Sequence, residues 1–373
     1  MGNNSSRAKK VFAHFMPAHG DGGNHAYHKS LVGPHDLDDP DILEYQILCA
    51  KAAHLDGFII NPTHFSGAMR GINIRMLKII DKICELNRVR SDFNFSYIFS
   101  YDDNGIANGD RDIILANYEW IRDHILFHAE RSAACFRDDL THKQVMMVWS
   151  SDGRAHHWEA VGKYLGHDKV MLLLRDTWGQ EEAGGYFTWL FGVPNRSPEK
   201  SEDERNRLWG NIEFDAFFDD VKKYPDKVFV GSVYPGFDDR YAPWGEGWRY
   251  IARDVPEGET FVLTWEKIMD FNAANPGNEN EISWVQVVTW NDWPEGSAVE
   301  PASFDGFGLR AIETCREQNI RFKNITGLPE DDAKGLLIPY KIFLLRKAEK
   351  NDVAERVLEC FFDRRYSDAW KIM

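Results

Sequence analysis

Cysteine is sparse. Five residues, Cys49, Cys84, Cys135, Cys315 and Cys360, are scattered through 373 positions with no CxxC pair. The odd count and wide spacing argue against a disulfide framework or zinc module and predict buried free thiols. Long apolar runs are also missing. No stretch of 18 apolar residues exists, so no membrane span is expected. No signal-like apolar segment precedes the first candidate strand. Secretion or a periplasmic location fits a chain whose leader has been removed, and the cytoplasm fits one that never had a leader. The start Met1-Gly2-Asn3-Asn4-Ser5-Ser6, followed by Arg7, Lys9 and Lys10, matches an N-myristoylation pattern but reads first as a polar tail.

Positive charge is in deficit. Lys and Arg number 44 against 59 Asp and Glu, a formal net charge of −15. This argues against nucleic acid or an anionic membrane as the main partner and suits a neutral or cationic one. Nucleotide signatures are absent too. Gly20-Asp21-Gly22-Gly23 lacks the lysine of a phosphate loop and the register of a dinucleotide fingerprint. No Gly-x-Ser-x-Gly elbow occurs. His14, His19, His25 and His28 do not have helical metal-ligand spacing. Asp102-Asp103-Asn104-Gly105 lacks the alternating ligands of a calcium loop. Neither a metal nor a cofactor is expected.

What the chain does have is apolar and aromatic mass: 43% hydrophobic residues, 13% aromatics and 13 tryptophans. Short apolar runs at 11–15, 57–61, 93–99, 145–149, 170–174, 186–191, 228–233 and 284–290 alternate with helix-like segments. Asp39 and Pro40 open a helix running to about Ala53, and helical spacing recurs at 76–86, 113–133 and 261–271. Eight strands with intervening helices predict an α/β fold, a (β/α)8 TIM barrel. The expected organisation is a flexible tail at 1–10, a barrel at 11–330 and a C-terminal helical extension at 331–373. Within that extension 341–362 is amphipathic, and 196–207 reads as a charged, solvated loop or helix start.

In such a barrel the site lies at the C-terminal ends of the strands. Polar and aromatic residues gather there: His14, Asn61, Asp102, Trp149, Trp189, Tyr234, Asp238, Arg240 and Trp244. The last run ends most distinctively, in Trp290-Asn291-Asp292-Trp293-Pro294-Glu295-Gly296-Ser297. Asn291 and Trp293 join the candidate binding residues. Two carboxylates three residues apart, with indoles to pack on sugar faces, point to acid–base chemistry at a glycosidic bond. The structural alternative is that Asp292 caps a turn and Glu295 is a solvated acid beside it. For His14 the alternative is a satisfied core histidine.

This last segment resembles the end of the eighth barrel strand in glycoside hydrolase families 71 and 99, the α-1,3-glucanase-like and endo-α-mannosidase-like enzymes. Asp292 looks closer to family 71, and Glu295-Gly296 closer to family 99. Phe12-Ala13-His14-Phe15-Met16 is similar to the first strand of family 71. Asp56-Gly57-Phe58 is similar to the lead into the second strand of both families, and 232–240 to the seventh-strand loop of family 99. The resemblance spans roughly residues 10 to 310 and implies a barrel cleaving α-linked glucan or mannan. It implies Glu295 as acid and Asp292 as base, the base acting on water with inversion or on the sugar's own 2-hydroxyl with retention. The shorter Asp292 leaves more room for a water, which leans toward inversion. Two other readings are a carbohydrate-active domain of a polysaccharide-biosynthesis locus and a non-catalytic glycan-binding barrel.

Overall fold

Eight strands, apolar along nearly their whole length, pair in parallel and close on themselves. The structure is a computed structural model describing residues 7–19, 29–62, 70–102, 110–149, 154–175, 183–189, 214–239, 242–243, 245, 249–251, 259–275, 281–303 and 308–373. The barrel strands are β1 (Lys10–Phe15), β2 (Gly57–Ile60), β3 (Ser96–Asp102), β4 (Gln144–Trp149), β5 (Val170–Arg175), β6 (Gly185–Phe187), β7 (Val228–Val233) and β10 (Trp284–Val287). They follow chain order around the ring, and β10 closes it against β1 with Lys10 opposite Trp284 and Phe12 opposite Gln286. A two-stranded ribbon, β8 (Phe237–Asp238) with β9 (Arg249–Ile251), lies between β7 and β10 in sequence. The expected (β/α)8 barrel with C-terminal helices is the observed architecture.

Parallel strands covered on both faces read as continuous apolar runs, which is why the runs were visible in the sequence. Alternation sorts each run. Phe12, Ile59, Ile98, Met147, Leu173 and Trp284 form one cluster that fills the barrel. Val11, Phe58, Tyr97, Met146 and Leu172 belong to the larger cluster under the helices. Following the inward set toward the C-terminal ends, the residues turn polar: His14, Ser100, Ser232 and Gln286, all buried. The inner core thus changes from hydrocarbon to hydrogen-bonding groups at the end where a barrel carries its chemistry.

The first helix, Pro40–Ala52, starts as expected: Asp39 Oδ1 accepts from the Asp41 N–H at 3.0 Å, with Pro40 in the first turn. The run expected at 261–271 forms a helix, Glu259–Ala274. Several expectations shift, among them the last strand, expected at 284–290 and observed as Trp284–Val287, and the strand expected at 186–191, observed as Gly185–Phe187. The strand expected at 93–99 begins at Ser96, because Asn94 has φ 43° and Asn87 clamps both backbone groups of Phe95, at 3.0 and 2.8 Å. The helix expected over 113–133 is regular only across Arg111–Ile121 and continues as a wider turn to Leu126; Arg131 then folds back to donate to the His124 carbonyl at 2.7 Å. The stretch 341–362 is two helices, Ile338–Lys347 and Asn351–Phe362, broken where Glu349 takes φ 57°, and Tyr366–Ile372 follows. Arg346 straps this C-terminal part to the first helix by a two-pronged pair with Glu44, both contacts 3.1 Å. The segment 196–207 lies outside the described residues. All five cysteines are buried and free. Among the described residues no helix is long and apolar enough to cross a membrane.

Candidate active site

The loop after β10 holds itself together and is stapled to β1. The Trp290 N–H donates to the His14 carbonyl at 2.7 Å. The Asn291 side chain accepts from the Met16 N–H at 2.7 Å and donates to the Met16 carbonyl at 3.1 Å. Asn291 was expected to bind substrate. With no exposed surface and its amide engaged by backbone, it fixes the loop instead. Thr289 Oγ1 accepts from the Asp292 N–H at 2.9 Å and meets Ser297 Oγ at 3.0 Å, while Thr289 N–H donates to the Ser297 carbonyl at 3.0 Å. Gly296 takes φ 62°, in the left-handed region that favours glycine, and so returns the chain.

These bonds set the two acids. Asp292 is 2% exposed, and its Oδ1 accepts from the Glu295 N–H at 3.1 Å. Its Oδ2 lies 3.6 Å from His19 Nε2. Burial pushes the Asp292 carboxyl up to about 7, against the pull of the Glu295 N–H. Glu295 is half-buried. Asp292 therefore does cap a turn, as the structural alternative held, while remaining a strongly perturbed acid at the rim.

Trp293 was expected as a sugar platform. It is 2% exposed, packs with Ala298 and Ala302, and donates from Nε1 to Glu300 Oε2 at 3.1 Å. Glu300 in turn accepts from Ser30 Oγ at 2.5 Å. The indole braces the loop from behind, and its faces are occupied by protein.

The aromatic wall comes from other strands. Trp149, at the end of β4, and Trp189, just past β6, are partly exposed and meet edge to face at 4.6 Å. Arg175, ending β5, lies over the Trp149 ring at 3.9 Å. Trp189 packs on Tyr234 and Val288 and stands edge-on to His14 at 4.5 Å. His14 has no exposed surface, so it supports Trp189 from within; it was expected to face the substrate. Burial lowers its imidazole to about 4, and Gln286 partly offsets this. Gln286 ties three elements together: its Oε1 meets His14 Nε2 at 2.8 Å, and its Nε2 donates to Ser232 Oγ at 2.6 Å and to the Thr188 carbonyl. Asn61 and Tyr234 are 2% and 4% exposed, and Asp102, 5% exposed, lies opposite Trp149 in the β3–β4 register. The Asp238 side chain, Arg240 and Trp244 lie outside the described residues.

Sequence reasoning passed over four of these residues. Gln286 is the one polar residue in β10, and that was its signal. Arg175 sits one position beyond the expected end of its strand, and His19 was weighed only as a metal ligand. Glu300 had no local signal, because its partners Ser30 and Trp293 meet it only in the folded chain. Among the described residues no group of three His, Cys, Asp or Glu side chains is placed to hold a metal ion.

No family model matches the sequence, and no curated protein matches it. Solved structures do. The GH99 endo-α-mannosidase from Bacteroides thetaiotaomicron superposes with a TM-score of 0.58 at 13% identity, over 86% of this chain and 99% of that one. A glycoside hydrolase-like protein superposes with a TM-score of 0.61 at 12% identity, over 84% and 94%. Identity this low speaks for the backbone alone: the chain shares the (β/α)8 barrel fold of these structures.

Proposed function

We propose that this chain is a glycoside hydrolase that cleaves α-linked bonds in a glucan- or mannan-type oligo- or polysaccharide, with Asp292 as base and Glu295 as acid. The observation that carries the reading is Asp292: a buried carboxylate, raised to about 7, on the same short loop as half-buried Glu295 at the C-terminal rim of the barrel. A carboxylate destabilised by burial is a stronger base, and a catalytic group works best when it titrates near the working pH. Glu295, with more access to solvent, donates its proton to the departing glycosidic oxygen. Asp292 takes a proton either from a water that attacks the anomeric carbon or from the sugar's 2-hydroxyl, whose oxygen then attacks. Trp149 and Trp189 offer indole surface for a sugar ring, held by His14 and Arg175. Asn61, Asp102, Tyr234, Asp238, Arg240 and Trp244 remain candidates for hydroxyl contacts.

One observation favours a second reading, a glycan-binding barrel without turnover: Asp292 Oδ1 already serves the Glu295 N–H. Incubation with α-1,3-glucan and with α-mannan separates the two. Release of reducing ends that disappears in Asp292→Asn and Glu295→Gln supports the hydrolase. Retained binding of either polymer with no product from any α-glycan tested would favour the second.

A further inference from the structure

The opposite end of the barrel, where the strands begin, holds a cavity of about 270 Å³ between the barrel floor and the C-terminal helices, lined in part by Lys51, His54, Asp56, Phe93, Lys323 and Arg364. Its charge runs against that of the chain, which is −15 overall. The carboxylates that line it are already engaged. Asp56 accepts from Lys323 Nζ at 2.9 Å, Lys10 Nζ at 3.3 Å and the Val11 N–H at 2.8 Å. Asp92 is held by Arg90 through two bonds of 3.0 and 3.1 Å. Two cations are left over. Lys51 Nζ reaches only as far as the Asn94 carbonyl, at 3.4 Å, and the Phe93 ring, at 5.3 Å. No carboxylate among the described residues pairs with Lys51 or with Arg364. Burial, together with Lys323, Arg364 and Lys10 and against the pull of Asp56, brings the Lys51 amine down to about 8. A cation in that state gains from any anion that enters.

We propose that this cavity binds a phosphate group, free or on a small ester, between Lys51 and Arg364. Two uncompensated cations match a dianion. A lysine acts on phosphate as a point charge and an arginine as a two-pronged donor. The volume lies just under the roughly 300–1,000 Å³ of sites for drug-sized ligands, so it suits a small phosphorylated compound and excludes a polymer. Phe93 gives the organic part of an ester an apolar surface. The site is independent of the reading of Asp292 and Glu295, which sit at the other end of the strands. It also gives the C-terminal helices a role, because Arg364 and Tyr366 supply one wall.

Calorimetric titration of the full chain at fixed ionic strength, with inorganic phosphate, with a hexose phosphate and with chloride as control, tests this. The expected result is saturable binding of at least one phosphate and none of chloride. Lys51→Met and Arg364→Gln each weaken it by about tenfold or more, while Lys51→Arg, which keeps the charge, retains it. Tighter binding of the ester identifies an organic occupant, and equal binding identifies the phosphate group alone as the feature recognised. Thermal melting reports whether each variant folds. Should Lys51→Met fail to fold, Arg364→Gln at its exposed position carries the test. No saturable binding of either phosphate, or affinity unchanged in the folded variants, overturns the proposal.

Discussion

His14 Nε2 and Gln286 Oε1 meet at 2.8 Å across the seam where β1 and β10 close the barrel. The pair sits below the rim, and its burial keeps the imidazole neutral down to about pH 4. A few residues away burial does the reverse to Asp292, keeping that carboxyl protonated up to about pH 7. These two groups make opposite contributions to stability as pH changes.

For His14 the folded value, about 4, lies below the ordinary 6.5, so the unfolded chain takes the proton first and stability is lost as pH falls through that window. For Asp292 the folded value, about 7, lies above the ordinary 3.8, so the folded chain holds the extra proton and stability is gained as pH falls from 7 toward 4. The two slopes offset each other. Asp292→Asn should therefore lose stability on acidification from pH 7 to 4 more steeply than the parent, by up to about 3 kcal/mol. His14→Phe should move the other way relative to the parent. Urea unfolding at several pH values measures this, and parallel profiles for all three proteins would refute it.

Glu295→Gln keeps the shape of the side chain and removes the proton. Turnover of a poor leaving group should drop on the order of 10²–10⁴-fold, with much of the loss recovered on an activated aryl glycoside, which leaves unaided. Asp292→Asn should not be rescued that way. Equal rescue of both variants would show that the roles are assigned wrongly. NMR of the anomer first released distinguishes attack by water from attack by the 2-hydroxyl.

The indoles divide by position. Trp149→Ala and Trp189→Ala should raise KM more than they lower kcat, since a platform binds ground and transition states alike. Trp293→Ala should instead cost about 3–5 kcal/mol of stability, as a buried aromatic bonded to Glu300. Chemical denaturation and kinetics on the three variants test the division; a Trp293→Ala protein as stable as the parent would contradict it.

Gly57 in β2 is a packing requirement. A Cβ there would lie 2.0 Å from the Ser96 carbonyl oxygen of β3. Gly57→Ala should lower the unfolding free energy by about 1–3 kcal/mol or prevent folding. A midpoint equal to that of the parent would argue that the β2–β3 pair is looser than it looks.

Much of this was readable from the chain, for definite reasons. The strands were visible because both faces are covered, so apolar residues run uninterrupted. The loop that carries Asp292 and Glu295 was visible because Pro294 and Gly296 break the last run just where carboxylates begin. What escaped depends on side chains that meet through folding. Strand β3 starts late because of an amide eight residues back, at Asn87. Trp293 turns inward because Glu300 draws its indole N–H, and Glu300 is itself held by Ser30 from the far end of the sequence. Asn291 looked like a sugar ligand because its backbone partner, Met16, is remote in sequence.

The staple from Trp290 and Asn291 to His14 and Met16 has a temporal consequence. The first barrel strand leaves the ribosome long before the segment that carries both acids, and the loop gains its bonds to His14 and Met16 only when the last strand docks on the first. The placement of Asp292 and Glu295 is thus acquired in the same step that completes the ring. A nascent or truncated chain with seven strands paired would hold much of the hydrocarbon core but not the placed pair of acids, so on the proposed function activity would report closure of the barrel.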